Sequence, residues 1–308
     1  MLDITLLGTS ALLPLPERAL TAVHLACAGH SILFDCGEGT QSAARKARVS
    51  LMKTDLIALT HYHGDHIFGL PGLLQTMGSM GRTEPLVITG PAGLKTAMEP
   101  ILKLAEWLPF EVSLMPLPSD GLILDSLFPG WPDRAVLKAF PTRHRVVSQG
   151  YQFTLGRAGL FKPDQAKALN IPVQFWSRLQ RGEALQLDNQ TILPQQVMGP
   201  DRAGLKFVFS GDTAPCDSLV HAAQNADLLI CEATYGENEQ ADLAEEYGHM
   251  TFSLAGQTAA QAHAQRLWLA HYSQRIEDPE AYLPLTQAHF PAAQCGEDGM
   301  HISLQFHE

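Results

Sequence analysis

Residues Leu56 to Gln75 read LIALTHYHGDHIFGLPGLLQ. The segment opens on the apolar run Leu56-Ile57-Ala58-Leu59, which has the length and bounding of a buried strand. At the end of that run stand His61, His63, Asp65 and His66, four metal-competent side chains within six positions. In extended backbone His61 and His63 project to the same side, because side-chain direction repeats every two residues. Gly64 then permits a sharp change of direction, which carries Asp65 and His66 to a neighbouring point. One segment therefore serves two adjacent ions, the first imidazole pair on one and the carboxylate with the last imidazole on the other. A solvated His-rich loop is the plainer alternative, but it leaves this density of ligands unexplained. Imidazole and carboxylate together suit zinc or a similar borderline divalent ion.

The 308 residues, 45% hydrophobic and 17% charged, are those of an ordinary globular protein with room for a large core. No apolar run approaches the roughly 20 residues of a membrane helix. The N-terminus lacks the basic start and cleavage site of a signal peptide, so the expectation is a cytoplasmic protein with no membrane partner. Its five cysteines form no CxxC pair, which argues against a disulfide framework and a thiolate zinc knuckle. A formal charge of −11 excludes holding nucleic acid by the whole surface, so any RNA partner needs a local basic patch.

Outward from the central segment, the first third is rich in strand signals: Leu2 to Gly8, Ala22 to Gly29 and Ser31 to Gly37. A helix is predicted over Glu38 to Val49 and another over Gly69 to Met77. A strand follows over Pro85 to Gly90, with Pro91 opening the next helix. Further strands are predicted at Phe110 to Leu114, Ala135 to Phe140 and Gly150 to Leu155. Between Gly156 and Met198 neither period persists, and Pro163, Pro172 and Pro194 punctuate the chain, as expected of an inserted arm. From Gly156 to Gly182 that arm carries Arg157, Lys162, Lys167, Arg178 and Arg181 against the single acid Asp164. Beyond it strands and helices alternate: LKFVFSGD, a helix over Cys216 to Ala223, DLLICEA, a helix over Ser253 to Ala264, LWLAH, a helix over Asp278 to Ala288, and ISLQF. The pattern predicts an α/β fold of two packed sheets flanked by helices.

Two ions need more ligands than one loop holds. His144 stands just past strand Ala135 to Phe140, Asp212 past Leu205 to Phe209, and His271 directly after Leu267 to Ala270. Each alone reads equally well as a capping or surface residue. With the first loop they make five His and two Asp, a full set for a dinuclear site with Asp212 bridging and positions left for water. Two ions roughly 3.5–4 Å apart hold a hydroxide that is nucleophilic at neutral pH and neutralise charge on a phosphoryl oxygen. Hydrolysis is the implied chemistry. His249, in EEYGHMT after a polar loop, is either a proton donor beside the site or a residue at a helix start, with Thr251 as the cap. The other histidines, among them His24, His30, His289 and His307, have no motif around them and read as structural or solvated. No GxxxxGK[ST], GxGxxG or GxSxG motif offers another chemistry.

With these residues in view, the whole chain resembles the ribonuclease Z family, the tRNA 3′-processing endonucleases of the metallo-β-lactamase superfamily. THYHGDH marks only the superfamily. LLGTSALLP near the N-terminus, FDCGEGTQ from Phe34 to Gln41, HIFGLPGLL, FSGDT from Phe209 to Thr213, EAT from Glu232 to Thr234 and AHYSQR up to Arg275 narrow it to the family, in its order. The resemblance implies a metallo-β-lactamase-like αβ/βα four-layer sandwich, a single domain over residues 1–308 with a flexible arm at about 156–182. It implies two Zn2+ per chain, or Mn2+ or another divalent ion in their place. His61, His63 and His144 would hold one, Asp65, His66 and His271 the other, and Asp212 would bridge. Asp65 would also act as general base, and His249 supported by Glu232 as proton donor. The implied partners are precursor tRNA and a second copy of the chain, since the short bacterial form is a homodimer. The arm's basic residues and Ser273 would touch the substrate.

The chain departs from the family at three places. Ile171-Pro172 runs into Val173-Gln174-Phe175-Trp176 in place of a Gly-Pro pair. Cys231 replaces the His of His-Glu-Ala-Thr, and Ala19 the Asn of Arg-Asn. Phe175 and Trp176 either stack on a base or pack the arm. The leading expectation is a zinc-dependent endoribonuclease that cleaves the 3′ trailer from precursor tRNA. The alternatives are a paralogue hydrolysing small phosphodiesters or other esters, and a catalytically idle RNA-binding dimer.

Overall fold

The computed structural model describes residues 1–187 and 190–306, so His307 lies outside it. By its internal contacts the chain divides into two units, residues 1–154 with 205–305, and residues 155–204 with Phe306. The strands are β1 (Leu2–Gly8), β2 (Ala22–Cys27), β3 (His30–Phe34), β4 (Thr54–Ala58), β5 (Leu86–Thr89), β6 (Val112–Leu114), β7 (Leu122–Ile123), β8 (Ala135–Pro141), β9 (Gln149–Arg157), β10 (Leu185–Leu187), β11 (Gln190–Ile192), β12 (Arg202–Phe209), β13 (Leu228–Glu232), β14 (Leu267–Ala270), β15 (Ala293–Cys295) and β16 (His301–Leu304). The helices are α1 (Thr40–Lys46), α2 (Gly64–Ile67), α3 (Leu70–Ser79), α4 (Leu94–Leu104), α5 (Pro163–Ala168), α6 (Trp176–Gln180), α7 (Asp217–Ala222), α8 (Ala241–Tyr247), α9 (Phe252–Gln261) and α10 (Leu283–Gln287).

In the first unit, two mixed sheets of seven strands face each other with helices outside. Their orders are β16-β1-β2-β3-β4-β5-β6 and β15-β14-β13-β12-β9-β8-β7. Phe34 marks the seam, with its ring 5.6 Å from those of Tyr151 and Phe207 and 6.0 Å from that of Phe209. Outside the first sheet α1, α3 and α4 bury Ala44, Leu74 and Met98 against Leu33, Ile57 and Ile88. Outside the second, α7 and α9 bury Leu219 and Ala255 against Val208, Leu229 and Leu269. Strands covered on both faces read as near-continuous apolar runs, which is why LIAL and LLIC stand out in sequence.

Parallel register is what gathers the site. Phe34 pairs with Ala58, Phe209 with Ile230, and Glu232 with Ala270. The carboxyl ends of β3, β4, β12, β13 and β14 are therefore level within each sheet. Residues that follow these ends lie side by side, the usual place for a ligand in parallel sheets.

Several sequence expectations are corrected. The helix after β5 begins at Leu94, behind Gly93; Pro91 lies in the preceding turn, where its carbonyl accepts a bond from the Tyr62 hydroxyl at 2.6 Å. The stretch before His249 is not a polar loop but α8, whose Ala, Leu and Glu residues are good helix formers. The predicted helix over 278–288 is broken into a 3₁₀ turn, Pro279–Ala281, and α10, with Pro284 inside the break's second turn. The last strand, β16, does not extend the second sheet; it pairs antiparallel with β1, Leu2 opposite Leu304. Among the described residues no helix is long and apolar enough to cross a membrane.

The second unit, 155–204, is wider than the 156–182 window marked by basic charge. Within it α5, α6 and the β10–β11 hairpin enclose a small core of Ala166, Ile171, Leu179, Leu185, Ile192 and Val197, against which Phe175 and Trp176 pack. Trp176 donates its indole N–H to the Ile171 carbonyl at 2.9 Å, and its ring lies 5.1 Å from that of Phe161. Packing, not base stacking, accounts for this pair. Arg178 and Arg181 both bind Glu183, at 2.8 and 3.0 Å. That acid stands one residue past the basic window and offsets two of its cations. Trp176→Ala is expected to loosen this unit by somewhat less than the roughly 3–5 kcal/mol of a fully buried aromatic. Limited proteolysis checks this: cleavage should quicken within 155–204 while residues 1–154 stay resistant.

Candidate metal centre

Each imidazole enters the cluster with its orientation already fixed from behind. The Thr60 hydroxyl spends its single hydrogen on Asp35 Oδ2 at 2.8 Å, so the contact with His61 Nδ1 at 3.0 Å makes that nitrogen the donor. His61 Nε2 is left bare. By the same logic the Thr234 hydroxyl gives its hydrogen to Glu232 Oε2 at 2.7 Å and accepts from His271 Nδ1 at 2.9 Å. His144 Nδ1 donates to the Gly248 carbonyl at 2.9 Å, and His66 Nδ1 meets Asp35 Oδ2 at 2.8 Å. Four imidazoles thus point an Nε2 lone pair inward, with the tautomer set by the outer partner.

The inward atoms face one another. His61 Nε2 lies 2.9 Å from His63 Nδ1, which lies 3.3 Å from His144 Nε2. His66 Nε2 and His271 Nε2 are 3.3 Å apart, and each is within 3.7 Å of Asp65 Oδ2. Between the groups stands Asp212, with Oδ2 at 3.3 Å from His66 and 3.7 Å from His61, and Oδ1 at 3.2 Å from His271. Bare nitrogens this close repel unless a cation lies among them. Donors held about 2.0–2.1 Å from a tetrahedral zinc are about 3.3 Å from each other, and the observed separations bracket that value. Asp212 Oδ1, buried and without a hydrogen bond, is an orphan that a cation would satisfy. The donor set therefore fits a pair of divalent ions. Its first group is His61, His63 and His144, and a second is Asp65, His66 and His271.

The electrostatics agree. Burial alone would lower the proton affinity of His66, but Asp212, Asp35 and Asp65 raise it well above the ordinary range. A field that draws a proton so strongly draws a divalent cation too. His61 is held well below the usual imidazole value by burial and by His66. Burial opposes ionisation of Asp65, yet His66 and His271 hold its carboxyl well below the usual carboxylate range.

Backbone geometry is unusual here. Asp35 and His271 adopt left-handed φ of 55° and 57°, and so does Leu12, at 61°, whose N–H donates to Asp65 Oδ2 at 2.8 Å. Such conformations persist where surrounding contacts enforce them. Gly248, at φ 74°, ends α8 and presents its carbonyl to His144; a Cβ there would sit 2.7 Å from the His144 Cα.

His249 lies behind the cluster, its ring 4.9 Å from that of His144 and 5.6 Å from that of His271. Its Nδ1 meets Glu232 Oε1 at 2.9 Å. Glu232 is fixed in turn by the Thr213 and Met250 amides at 2.6 and 3.0 Å. Burial pushes the His249 imidazolium down, but Glu232 overcomes it and lifts the value to about 9. The helix cap beyond is Thr251, which accepts from the Leu254 amide at 3.3 Å. Ser273, two residues past His271, is half-buried, and its N–H donates to the Thr234 carbonyl at 3.2 Å.

Asp35 escaped the sequence reading. It is fully buried, binds both the Thr60 amide and His66, and its only signal was a carboxylate directly after a strand in FDCG. Asp35→Asn is expected to weaken metal binding about 10–100-fold, as loss of an outer hydrogen bond to a ligating His does. Competition with a chelator measures it, and unchanged affinity would remove Asp35 from the site.

Residues 30–272 match the Beta-lactamase superfamily domain. Over 308 residues the chain is 41% identical to the Ribonuclease Z of Lachnoclostridium phytofermentans, covering 99% of each, and 39% identical to that of Agathobacter rectalis, covering 100% of each. The chain belongs to the ribonuclease Z family. The crystal structure of human tRNase Z, short form, is similar over 99% of this chain and 100% of that one, with a TM-score of 0.67 at 29% identity. Membership in the ribonuclease Z family makes the chain an enzyme, a metal-dependent nuclease of metallo-β-lactamase fold.

Proposed function

We propose that the chain is a zinc-dependent endoribonuclease that removes the 3′ trailer from precursor tRNA, leaving a 3′-hydroxyl on the tRNA and a 5′-phosphate on the trailer. The observation that carries this reading is the inward convergence of five imidazoles and two carboxylates beside a ninth-shell-free neighbour, His249, whose own carboxylate is Glu232. In this reading His61, His63 and His144 hold one ion, Asp65, His66 and His271 the other, and Asp212 both. Zinc suits the donors, and Mn2+ or another divalent ion can replace it. Such a pair, when bound, supplies Lewis acidity and an acidified water.

The chain's residues do the rest. Asp65, ionised and oriented by the Leu12 amide, accepts the proton of the attacking water. His249, charged by virtue of Glu232, gives its proton to the departing 3′ oxygen. Asp35, Thr60 and Thr234 keep the imidazoles from rotating. Arg157, Lys162, Lys167, Arg178 and Arg181 of the arm, with Ser273 near the site, contact the RNA, and the enzyme works in the cytoplasm as a homodimer.

One observation favours a second reading, hydrolysis of small phosphodiesters: two arm cations are already engaged by Glu183. Incubation with a precursor tRNA and with bis(p-nitrophenyl) phosphate separates the two. Cleavage of the RNA at one site, with metal content and mass measured alongside, supports the first; turnover of the small ester alone supports the second.

A further inference from the structure

On the outer face of the second sheet, beside α7, runs a groove of about 720 Å³. Its charged lining is Lys138, Lys206 and His221, and no carboxylate lines it, although the chain as a whole carries −11. Gln152 and Ser218 add polar groups between them. Lys138 and Lys206 lie on strands β8 and β12, with β9 between. At the usual strand spacing that places their backbones about 10 Å apart. Lys206 is pinned, its ammonium donating to the Gln224 carbonyl at 2.7 Å; Lys138 is exposed.

One end of the groove adjoins the metal centre. Ser218 donates its hydroxyl to the Pro141 carbonyl at 2.6 Å, tying the start of α7 to the end of β8. His144 follows Pro141 by three residues, and Asp212 precedes Ser218 by six. The two segments that deliver these donors therefore frame the mouth.

We infer that this groove holds the phosphates of the single-stranded 3′ trailer as it leaves the metal centre. The inference rests on the endoribonuclease reading above. A polyanion threaded away from the scissile phosphate meets an acidic surface in most directions, and a carboxylate-free channel with two lysines and an imidazole is the path of least repulsion. The groove also has the polar donors that phosphate and ribose use without regard to sequence.

The test compares precursor tRNAs with trailers of one and of about ten nucleotides, cleaved by the unaltered enzyme and by a Lys138→Glu, His221→Gln variant whose fold is checked by circular dichroism. The expected result is a KM for the long trailer raised about 3–10-fold in the variant, with kcat and the short-trailer KM unchanged. The salt dependence for the long trailer should flatten by roughly 0.7 in slope for each lost phosphate contact. Equal loss on both RNAs, or none on either, overturns the trailer path. An unaltered enzyme that cleaves neither RNA overturns the parent reading, and the groove with it.

Discussion

Asp212→Ala should strip the chain of its cations and of nearly all turnover. Among the described residues Asp212 is the carboxylate within reach of inward nitrogens from both donor groups, His61 on one side and His66 and His271 on the other. Its removal leaves each group with three donors at most and nothing holding the two together. Metal ions contribute several kcal/mol to charge stabilisation in such reactions, so the rate should fall by at least about 10³-fold. Elemental analysis of the purified variant should find well under two equivalents per chain. Two equivalents with normal turnover would show that Asp212 joins nothing.

His249→Ala should behave differently, keeping its metals and losing about 10²–10⁴ in kcat, the range of a missing proton donor. The separation matters because a misfolded site loses both. A companion variant, Glu232→Gln, tests how the proton is held. Glu232 raises the proton affinity of His249 to about 9, so the acid form persists at neutral pH and is lost only as pH rises through that value. Without the carboxylate, burial prevails and the value falls, so the alkaline limb of the pH–rate profile should move to lower pH. A limb that stays in place would assign the proton to another group.

How much of this was legible in the sequence depends on the kind of signal. The ligand segments announce themselves because each follows a buried apolar strand, and parallel register does the gathering. Asp35 is different in kind. Its partners Thr60 and His66 lie 25 and 31 residues away, and no spacing rule connects a buried carboxylate to them. Strands of two or three residues such as β7 and β15 are too short to show a period. The helix before His249 did have a signature, Ala-Asp-Leu-Ala-Glu-Glu closed by Gly248, a helix-forming run with a glycine stop. In the arm, the basic count ended just before Glu183, and only side-chain geometry reveals that this acid engages two of the arginines.

The pairing of β1 with β16 joins residues some 300 positions apart, and the same edge carries a second tie. The Asp298 carboxylate accepts from the Thr9 hydroxyl at 2.9 Å and from the Ala19 amide at 2.6 Å, bracketing the loop whose Leu12 amide reaches Asp65. During synthesis, then, β1 waits with one edge unpaired until the final strand emerges, and loops over such distances close slowly. A nascent chain halted before Asp298 would have every donor of the cluster already translated, yet lack the clasp that steadies the loop against Asp65.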